Sequence, residues 1–408
     1  MDTIHAFGPG SIGWALAQHY EMTGDTKWLR ANEARMIANA EWMLRQRQVL
    51  ANSVPGGDRL WGKGLQPALQ VTPDSGGLWM EFYECEAYYL AAVTRLANDL
   101  ASINSPQANR LKREAEQYRI DLKAAVERSI TLSPVVPVRD GTFHSVIPFA
   151  CYVRGLSTGA WGWQREGSGS HVGPLYWDTV QSAAALISPA GLLPANDVRV
   201  QGYLDVLEDR VLLENQNVGS RDWFQAGWQY QGGLERTANM HLAADDIPVF
   251  LRSFLNCYAV DILPNDGYTF NEHAVHGPPD KIFEEAAFLE RFRNLLVMED
   301  GENLWLTRAA PRAWMEQGRK ISVKNAPSHF GSVSYETVSD VEHGSIRTTI
   351  SLPTRKLAEN FLLRVRHPRA LRIQKVLVNG KLWNDFEPVR EVIRLHGLNG
   401  QVTVETKY

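Results

Sequence analysis

Acidic side chains that could exchange protons recur beside aromatic rings and glycines in this 408-residue chain. The segments concerned read DRLWGKG, WGWQREGSGSHVGPLYWD, RDWFQAGWQYQGGLER and YTFNEHAVHG. The stretch from Gly219 to Leu242 has neither a clean helical stripe nor a strand-like alternation, which is typical of a long loop. Flat rings beside carboxylates, arginines and histidines suit a ligand with apolar C–H faces and many hydroxyl groups, such as a sugar.

Cleavage of a glycosidic bond normally uses two carboxylates, one protonated as an acid and the other serving as base or nucleophile. We expect the catalytic residues to be Glu166, Asp222 and Glu272, with Glu272 paired with one of the other two. A single loop acid is more often a turn former, a helix cap or a solvated charge. The other acids in these loop segments are Asp74, Asp178 and Glu235.

The rings and polar side chains of the same segments are candidates for holding the substrate. A single tryptophan more often fastens a loop onto a helix, but its recurrence beside acids and glycines favours ligand contact. The expected substrate-binding residues are Trp61, Trp163, Arg165, His171, Trp177, Trp223, Trp228, Tyr230 and His241.

A further pair of acids, Glu81 and Glu84, stands in the apolar stretch LWMEFYECEAYY. This stretch is expected to begin a helix that lines the centre of the fold. Burial would raise the pKa of either carboxyl and suit it to an acid role. The alternative is that both are polar residues paired within the helical core.

Composition excludes several classes of partner. The net charge of −4, without a lysine- or arginine-rich run, offers no footprint for nucleic acid. No apolar run approaches the length that spans a bilayer, and MDTIHAFGPG has no signal-peptide pattern. A cytosolic location follows only if this N-terminus is the natural one.

No cofactor or metal is expected. The chain has no G-x-S-x-G elbow, P-loop or dinucleotide fingerprint. His273 and His276 lack a third obvious ligand, and Cys85, Cys151 and Cys257 lie far apart, as is typical of reduced thiols. Asp245 and Asp246 are expected to cap a helix that begins near Ile247.

Up to about residue 298 the periodicity predicts about eight helices joined by alternating short and long connections. The long connections are residues 53–77, 132–174, 214–244 and 265–279. In a stack of antiparallel helical hairpins, alternate connections fall on the same side, so the long loops are expected to gather at one end.

After about residue 297 apolar and polar residues alternate, which predicts strands, and Asn379-Gly380 is a strong hairpin signal. We expect an antiparallel β-sandwich of about eight strands. The predicted fold class is therefore α+β multidomain, with an α/α toroid of helical hairpins at 1–298 and a β-sandwich at 299–408.

Two stretches resemble the six-hairpin glycosidase superfamily, whose fold is an (α/α)6 toroid. The stretch ALAQHYEMTGDTKWLRANEARMIANAEWML resembles one of its hairpins, and LWLTRAAPRAWMEQGRKISVKNAPSHFGSVSYETVS resembles the passage from barrel into sandwich. The resemblance covers most of the chain in architecture and matches no catalytic motif. About eight helices are counted where a closed toroid has twelve. Either the ring is incomplete, or N-terminal hairpins lie outside this chain, or a partner subunit in a homo-oligomer completes it.

The resemblance implies a glycoside hydrolase of the inverting type that acts on an oligo- or polysaccharide. Two alternatives stay open. One is a polysaccharide lyase that removes the C5 proton of a uronic acid with Tyr230, His241, His171 and Arg165. The other is a toroid that binds carbohydrate without catalysis.

Overall fold

The structure, a computed structural model, describes residues 8–53, 62–68, 80–153, 181–207, 209, 236–263, 269–271, 280–356 and 358–408. Helices occupy the first part of the chain and β-sheets the last. The predicted fold class, helical hairpins followed by antiparallel sheets in an α+β multidomain chain, is confirmed.

The described residues contain nine α-helices. They are α1 (Gly8–Thr23), α2 (Thr26–Ser53), α3 (Tyr83–Ser102), α4 (Ala108–Leu132), α5 (Gln181–Ile187), α6 (Val198–Leu207), α7 (Thr237–Ala243), α8 (Ile247–Asp261) and α9 (Ile282–Leu296).

Two short hairpins lie among the helices. They pair β1 (Val136–Pro137) with β2 (Phe143–His144), and β3 (Ile262–Leu263) with β4 (Thr269–Phe270). The remaining strands are β5 (Val297–Asp300), β6 (Asn303–Leu306), β7 (Lys320–Ala326), β8 (Val333–Asp340), β9 (Ser345–Ser351), β10 (Asn360–Arg364), β11 (Lys375–Val378), β12 (Lys381–Trp383), β13 (Phe386–Glu387), β14 (Val392–Leu395) and β15 (Gln401–Lys407).

Contacts between Cα atoms divide the chain into two compact units. The helical unit comprises Met1–Gln18 and Lys27–Phe288, and the sandwich unit comprises His19–Thr26 and Leu289–Tyr408. The division that we predict at residue 298 stays a prediction.

The helical unit is built around α3, which is buried along most of its length. It packs against α4 and α5, while α7 packs against both α5 and α8. Helix α1 approaches α3 so closely that glycine is required at position 10, because a Cβ atom on Gly10 would lie 2.8 Å from the backbone of Tyr88 in α3. An apolar helix surface that is covered nearly all round is typical of a central helix.

The turn between α1 and α2 belongs to the sandwich unit. The chain reverses at Gly24, whose φ of 67° favours glycine, so the predicted short-turned hairpin is confirmed. The Arg355 guanidinium donates to the backbone carbonyls of Met22 and Glu21, and the Glu21 carboxylate lies 3.3 Å from His329 Nε2. These contacts hold the turn on the loops of the sandwich.

Two sheets form the sandwich. One has the strand order β13-β14-β10-β6-β5 and the other the order β12-β11-β15-β9-β8-β7. In β8, β9 and β15 buried residues alternate with more exposed ones, and the buried ones join a core shared with β6, β10 and β14. The period-two pattern of the sequence is thus the inward and outward alternation of the pleat.

The predicted antiparallel sandwich is confirmed, and it differs from the prediction in its number of strands and in one strand pair. The described part contains eleven strands after α9, and β10 runs parallel to β6. The chain leaves the first sheet after β6, forms β7, β8 and β9 in the second sheet, and returns at β10. Such a crossover allows a parallel pair, whereas a tight hairpin does not.

The helices also differ from the prediction in two places: where α3 begins, and in an additional short helix. The stretch LWMEFYECEAYY is predicted to begin a helix at its first residue, Leu78, but α3 begins at Tyr83, because Phe82 forms a bridge with Ala150 instead of joining the helix. Within the predicted loop at 214–244, Thr237–Ala243 forms the short helix α7. Among the described helices, none is long and apolar enough to cross a membrane.

The Asn379-Gly380 turn offers a test of this topology. It joins β11 to β12 with φ of 50° and 77°, as predicted for a two-residue hairpin, and no atom lies within 4 Å of a Cβ placed on Gly380. Gly380→Val should therefore lower the free energy of unfolding through backbone strain alone, by about 1–2 kcal/mol. Urea unfolding measures this, with the exposed neighbour variant Lys381→Ala as control. If both variants are equally stable, Gly380 does not have the positive φ that this turn requires.

Candidate active site

Two loops meet the beginning of α3: the first contains residues 62–68, and the second contains residues 145–153. The Tyr83 N–H donates to the Phe149 carbonyl over 2.9 Å, and the Cys151 N–H donates to the Glu81 carbonyl over 3.0 Å. Between these bonds, Phe82 and Ala150 form an antiparallel bridge. The side chains of Phe82, Cys85 and Phe149 form a small apolar cluster beneath it. The backbone of residues 81–83 is therefore held against residues 149–151.

Tyr152 connects the second loop to the first. The Gly62 N–H donates to its Oη over 3.0 Å, although the two residues are ninety positions apart. Tyr152 has a φ of 66°, which is uncommon for an aromatic residue, and its side chain is 40% exposed. Backbone strain of this kind is frequent at functional sites. The meeting of these two segments agrees with the expectation that long loops gather at one end.

The Glu81 carboxyl is half-buried at this junction. Burial raises its pKa above the ordinary value of 4.5, and a hydrogen bond from its own backbone opposes the rise. Burial likewise raises the pKa of the Tyr152 phenol, and the charges of Cys151 and Glu81 add to that rise. Glu81 therefore keeps its proton to a higher pH than a solvated glutamate and stays within reach of solvent.

Two more carboxyls follow in the first turn of α3. Glu84 is 9% exposed and Glu86 is fully buried. With Glu81 they place three acids within one six-residue stretch. The partial positive charge at a helix N-terminus favours acids in the first turn.

Glu86 is held by a polar network. Its carboxyl accepts hydrogen bonds from the Gln66 N–H, over 2.9 Å, and from the Tyr118 hydroxyl. The Arg47 guanidinium lies 3.9 Å from the centre of the Tyr118 ring and pairs with Asp121 at 2.6 Å. Burial raises the pKa of Glu86 to about 8 despite these donors. The network ties the segment 62–68 to α2, α3 and α4.

Most of the predicted site residues lie outside the described residues. These are the catalytic candidates Glu166, Asp222 and Glu272, and the substrate-binding candidates Trp61, Trp163, Arg165, His171, Trp177, Trp223, Trp228 and Tyr230. Their roles stay predictions.

His241 is the described member of the predicted set. It lies in the last turn of α7, is 3% exposed, and its Nδ1 atom is 3.2 Å from the Asp246 carboxylate. Asp246 precedes α8, which begins at Ile247 as predicted. The structure therefore places His241 in the packing between α7 and α8, and its predicted contact with substrate stays a prediction.

Glu86 and its network were not predicted. In the sequence Glu81, Glu84 and Glu86 stand in equally apolar surroundings, and no local signal separates them. What distinguishes Glu86 is its contact with Gln66 and Tyr118, which only the fold brings together. In the described ranges, no group of three His, Cys, Asp or Glu side chains is arranged to hold a metal ion.

No protein-family model matches the chain, and no curated protein sequence matches it. Solved structures of other proteins do match the chain. One is an α-L-rhamnosidase of Streptomyces avermitilis complexed with L-rhamnose, with 15% identity, a TM-score of 0.48, and coverage of 98% of this chain and 32% of that one. Another is an α-L-rhamnosidase of Dictyoglumus thermophilum, with 10% identity, a TM-score of 0.46 and coverage of 98% and 39%.

A third match is a glycoside hydrolase, with 10% identity, a TM-score of 0.32, and coverage of 98% of this chain and 55% of that one. The chain thus spans about a third of the first of these structures and little more of the second. All three of these similar structures are glycoside hydrolases.

Burial of Glu86 makes stability depend on pH. Its folded-state pKa of about 8 lies above the ordinary 4.5, so its contribution is fully present below pH 4.5 and is lost as pH rises towards 8. The upper bound of the loss is about 5 kcal/mol, since each pKa unit corresponds to about 1.4 kcal/mol. Glu86→Gln, which mimics the neutral acid, should match the unaltered protein near pH 5 and exceed its stability at pH 8.

Urea unfolding at both pH values measures the effect. Glu116→Gln, at an exposed position on α4, is the matched control and should follow the unaltered protein. If Glu86→Gln loses stability equally at pH 5 and pH 8, Glu86 is ionised in the folded protein and this interpretation is wrong.

Proposed function

We propose that the chain is a glycoside hydrolase that acts on an oligo- or polysaccharide, with Glu81 as its general acid. The observation that carries the proposal is the Glu81 carboxyl itself. It is half-buried, its pKa is raised by burial, and it stands where two loops meet the beginning of α3. A general acid must be protonated at working pH and must reach the oxygen of the scissile bond.

The neighbouring acids are less suited to this role. Glu86 is fully buried, and its oxygens already accept hydrogen bonds from Gln66 and Tyr118. Glu84 is 9% exposed. A substrate oxygen can approach Glu81 more readily than either. The Tyr152 hydroxyl, held by Gly62 beside this acid, supplies a polar contact for a sugar hydroxyl.

The second carboxylate of the mechanism is proposed to come from Glu166, Asp222 or Glu272. In an inverting enzyme this carboxylate acts as a base that activates water, and the two carboxyl groups lie about 6.5–9.5 Å apart. In a retaining enzyme it is a nucleophile, and the two carboxyl groups lie about 5–5.5 Å apart. We propose the inverting course. The rings of Trp61, Trp163, Trp177, Trp223 and Trp228, with Arg165, His171, Tyr230 and His241, are proposed to contact the sugar.

The acid role predicts a specific kinetic defect. Glu81→Gln should lower kcat on an unactivated oligosaccharide by about 10²–10⁴-fold, because the leaving oxygen is no longer protonated. The loss should be much smaller on nitrophenyl glycosides, whose leaving group departs without a proton. In the unaltered chain the rate should fall as pH rises through the Glu81 pKa, which lies above 4.5.

A panel of oligosaccharides and aryl glycosides measures this, and α-L-rhamnosides belong in it because two similar structures are α-L-rhamnosidases. Glu116→Gln is the control and should retain full activity. Glu166→Gln, Asp222→Asn and Glu272→Gln identify the second carboxylate.

If Glu81→Gln keeps its oligosaccharide activity within tenfold, Glu81 is not the acid. An unsaturated product absorbing in the near ultraviolet would mark a lyase, and no turnover by the unaltered chain would favour a binding protein.

A further inference from the structure

The sandwich unit contains a cavity at the end of its six-stranded sheet. A 3-10 helix, Arg312–Met315, leads through a tight turn into β7, and a cavity of about 500 Å³ lies against them. Ligand pockets commonly measure about 300–1,000 Å³. The cavity is lined by Ala313, Trp314, Glu316, Arg319, Lys320 and Ile321.

Trp314 supplies an aromatic wall. Its side chain packs against the sandwich core, and the centre of the Phe292 ring lies 6.3 Å away at an interplanar angle of 58°. Trp314 is only partly buried, and it lines the cavity. A tryptophan that packs on the core and also lines a cavity suits the flat C–H face of a pyranose ring.

The lining segment is rigidly held. The Gly318 N–H donates to the Ser339 carbonyl, and the Ser339 N–H donates to the Arg319 carbonyl, each over 3.0 Å. The Ser339 hydroxyl also donates to the Met315 carbonyl over 2.7 Å. The side chains of this segment therefore start from a fixed backbone, which lowers the ordering cost of binding a ligand.

The charges of the cavity balance one another. Lys320 is paired with Glu336 on the neighbouring strand at 2.5 Å. The exposed side chains of Glu316 and Arg319 have no hydrogen bond or ion pair with any other residue in the described part of the chain. The cavity thus offers one uncommitted acceptor group and one uncommitted donor group, and no net charge.

Protection of the sheet edge is the competing role for these residues. β7 is an edge strand, and lysines on such strands prevent pairing with other chains. This role accounts for Lys320 and Lys324, which both lie on β7. It does not account for an accessible tryptophan beside a cavity.

From these features we infer that the cavity binds a neutral saccharide unit, separately from the hydrolytic site. One sugar face packs on Trp314, neighbouring hydroxyls donate to the Glu316 carboxylate, and another hydroxyl accepts from the Arg319 guanidinium. A uronate is disfavoured, because its carboxylate would meet that of Glu316. The inference goes beyond the proposed hydrolysis and does not depend on Glu81.

A glycan array carrying neutral and acidic glycans, probed with the fluorescently labelled full chain, tests the inference. Neutral glycans should bind, and their binding should change little between 50 mM and 500 mM salt, because no net charge is involved. Glu316→Gln and Arg319→Gln should each weaken binding clearly without altering the fold, since both side chains are exposed. Trp314→Ala should weaken it by roughly tenfold or more, and its melting temperature shows whether it folds.

Two control variants distinguish binding in this cavity from binding elsewhere on the chain. Arg372→Gln, at an exposed arginine away from the cavity, should bind like the unaltered chain. Glu81→Gln should also bind, so that failure of the proposed hydrolysis and failure of this inference are distinguishable.

The inference is overturned by an array without bound neutral glycans, by binding confined to acidic glycans, or by binding that the Glu316 and Arg319 variants leave intact. Aggregation of Arg319→Gln without loss of binding would assign that residue to edge protection instead.

Discussion

The burial of carboxyl groups is the constraint on which the beginning of α3 depends. Removing an ionised carboxylate from water costs several kcal/mol unless donors replace the lost solvation. Glu86, which is fully buried, receives donors from Gln66 and Tyr118 and still has its pKa raised to about 8. The segment 62–68 and the helices α2, α3 and α4 are therefore arranged around a group that the interior holds in its neutral form at neutral pH.

The same helix end divides its acids by depth. Glu86 lies where no solvent reaches it, whereas Glu81, five residues earlier in the chain, stays half-buried beside Tyr152. The first is suited to hold the fold together, and the second is suited to exchange a proton. The bridge between Phe82 and Ala150 separates the two acids. The extended segment that contains Glu81 ends at Phe82, and α3, which contains Glu86, begins at the next residue.

Periodicity alone was sufficient for much of the architecture. The hairpin of α1 and α2, the beginning of α8 and the Asn379-Gly380 turn each depend on local residues, and each is confirmed. The parallel pairing of β10 with β6 depends on the path of the chain through the other sheet, which no local pattern records. The start of α3 was misplaced for a similar reason, since Phe82 takes its partner from a residue far along the chain.

The candidate site was predictable only in part. Glu81 could be named from its apolar surroundings, but its distinction from Glu84 and Glu86 depends on which long-range partners cover each carboxyl. Glu86 could not be identified without Gln66 and Tyr118, which lie twenty residues before it and thirty-two residues after it. The loop acids Glu166, Asp222 and Glu272 are predicted from their aromatic neighbours in sequence, and they remain predictions.

The central claim is that Glu81 retains its proton above the usual range of a glutamate while staying within reach of solvent. Carbon-13 NMR of the protein labelled at the glutamate side-chain carboxyl carbon, titrated with and without Glu81→Gln, measures this directly. We expect a resonance that disappears in the variant and that titrates with a pKa above 4.5 in the unaltered chain. A resonance assigned to Glu81 that titrates at or below 4.5 would contradict the claim, because Glu81 would then be an ordinary solvated carboxylate.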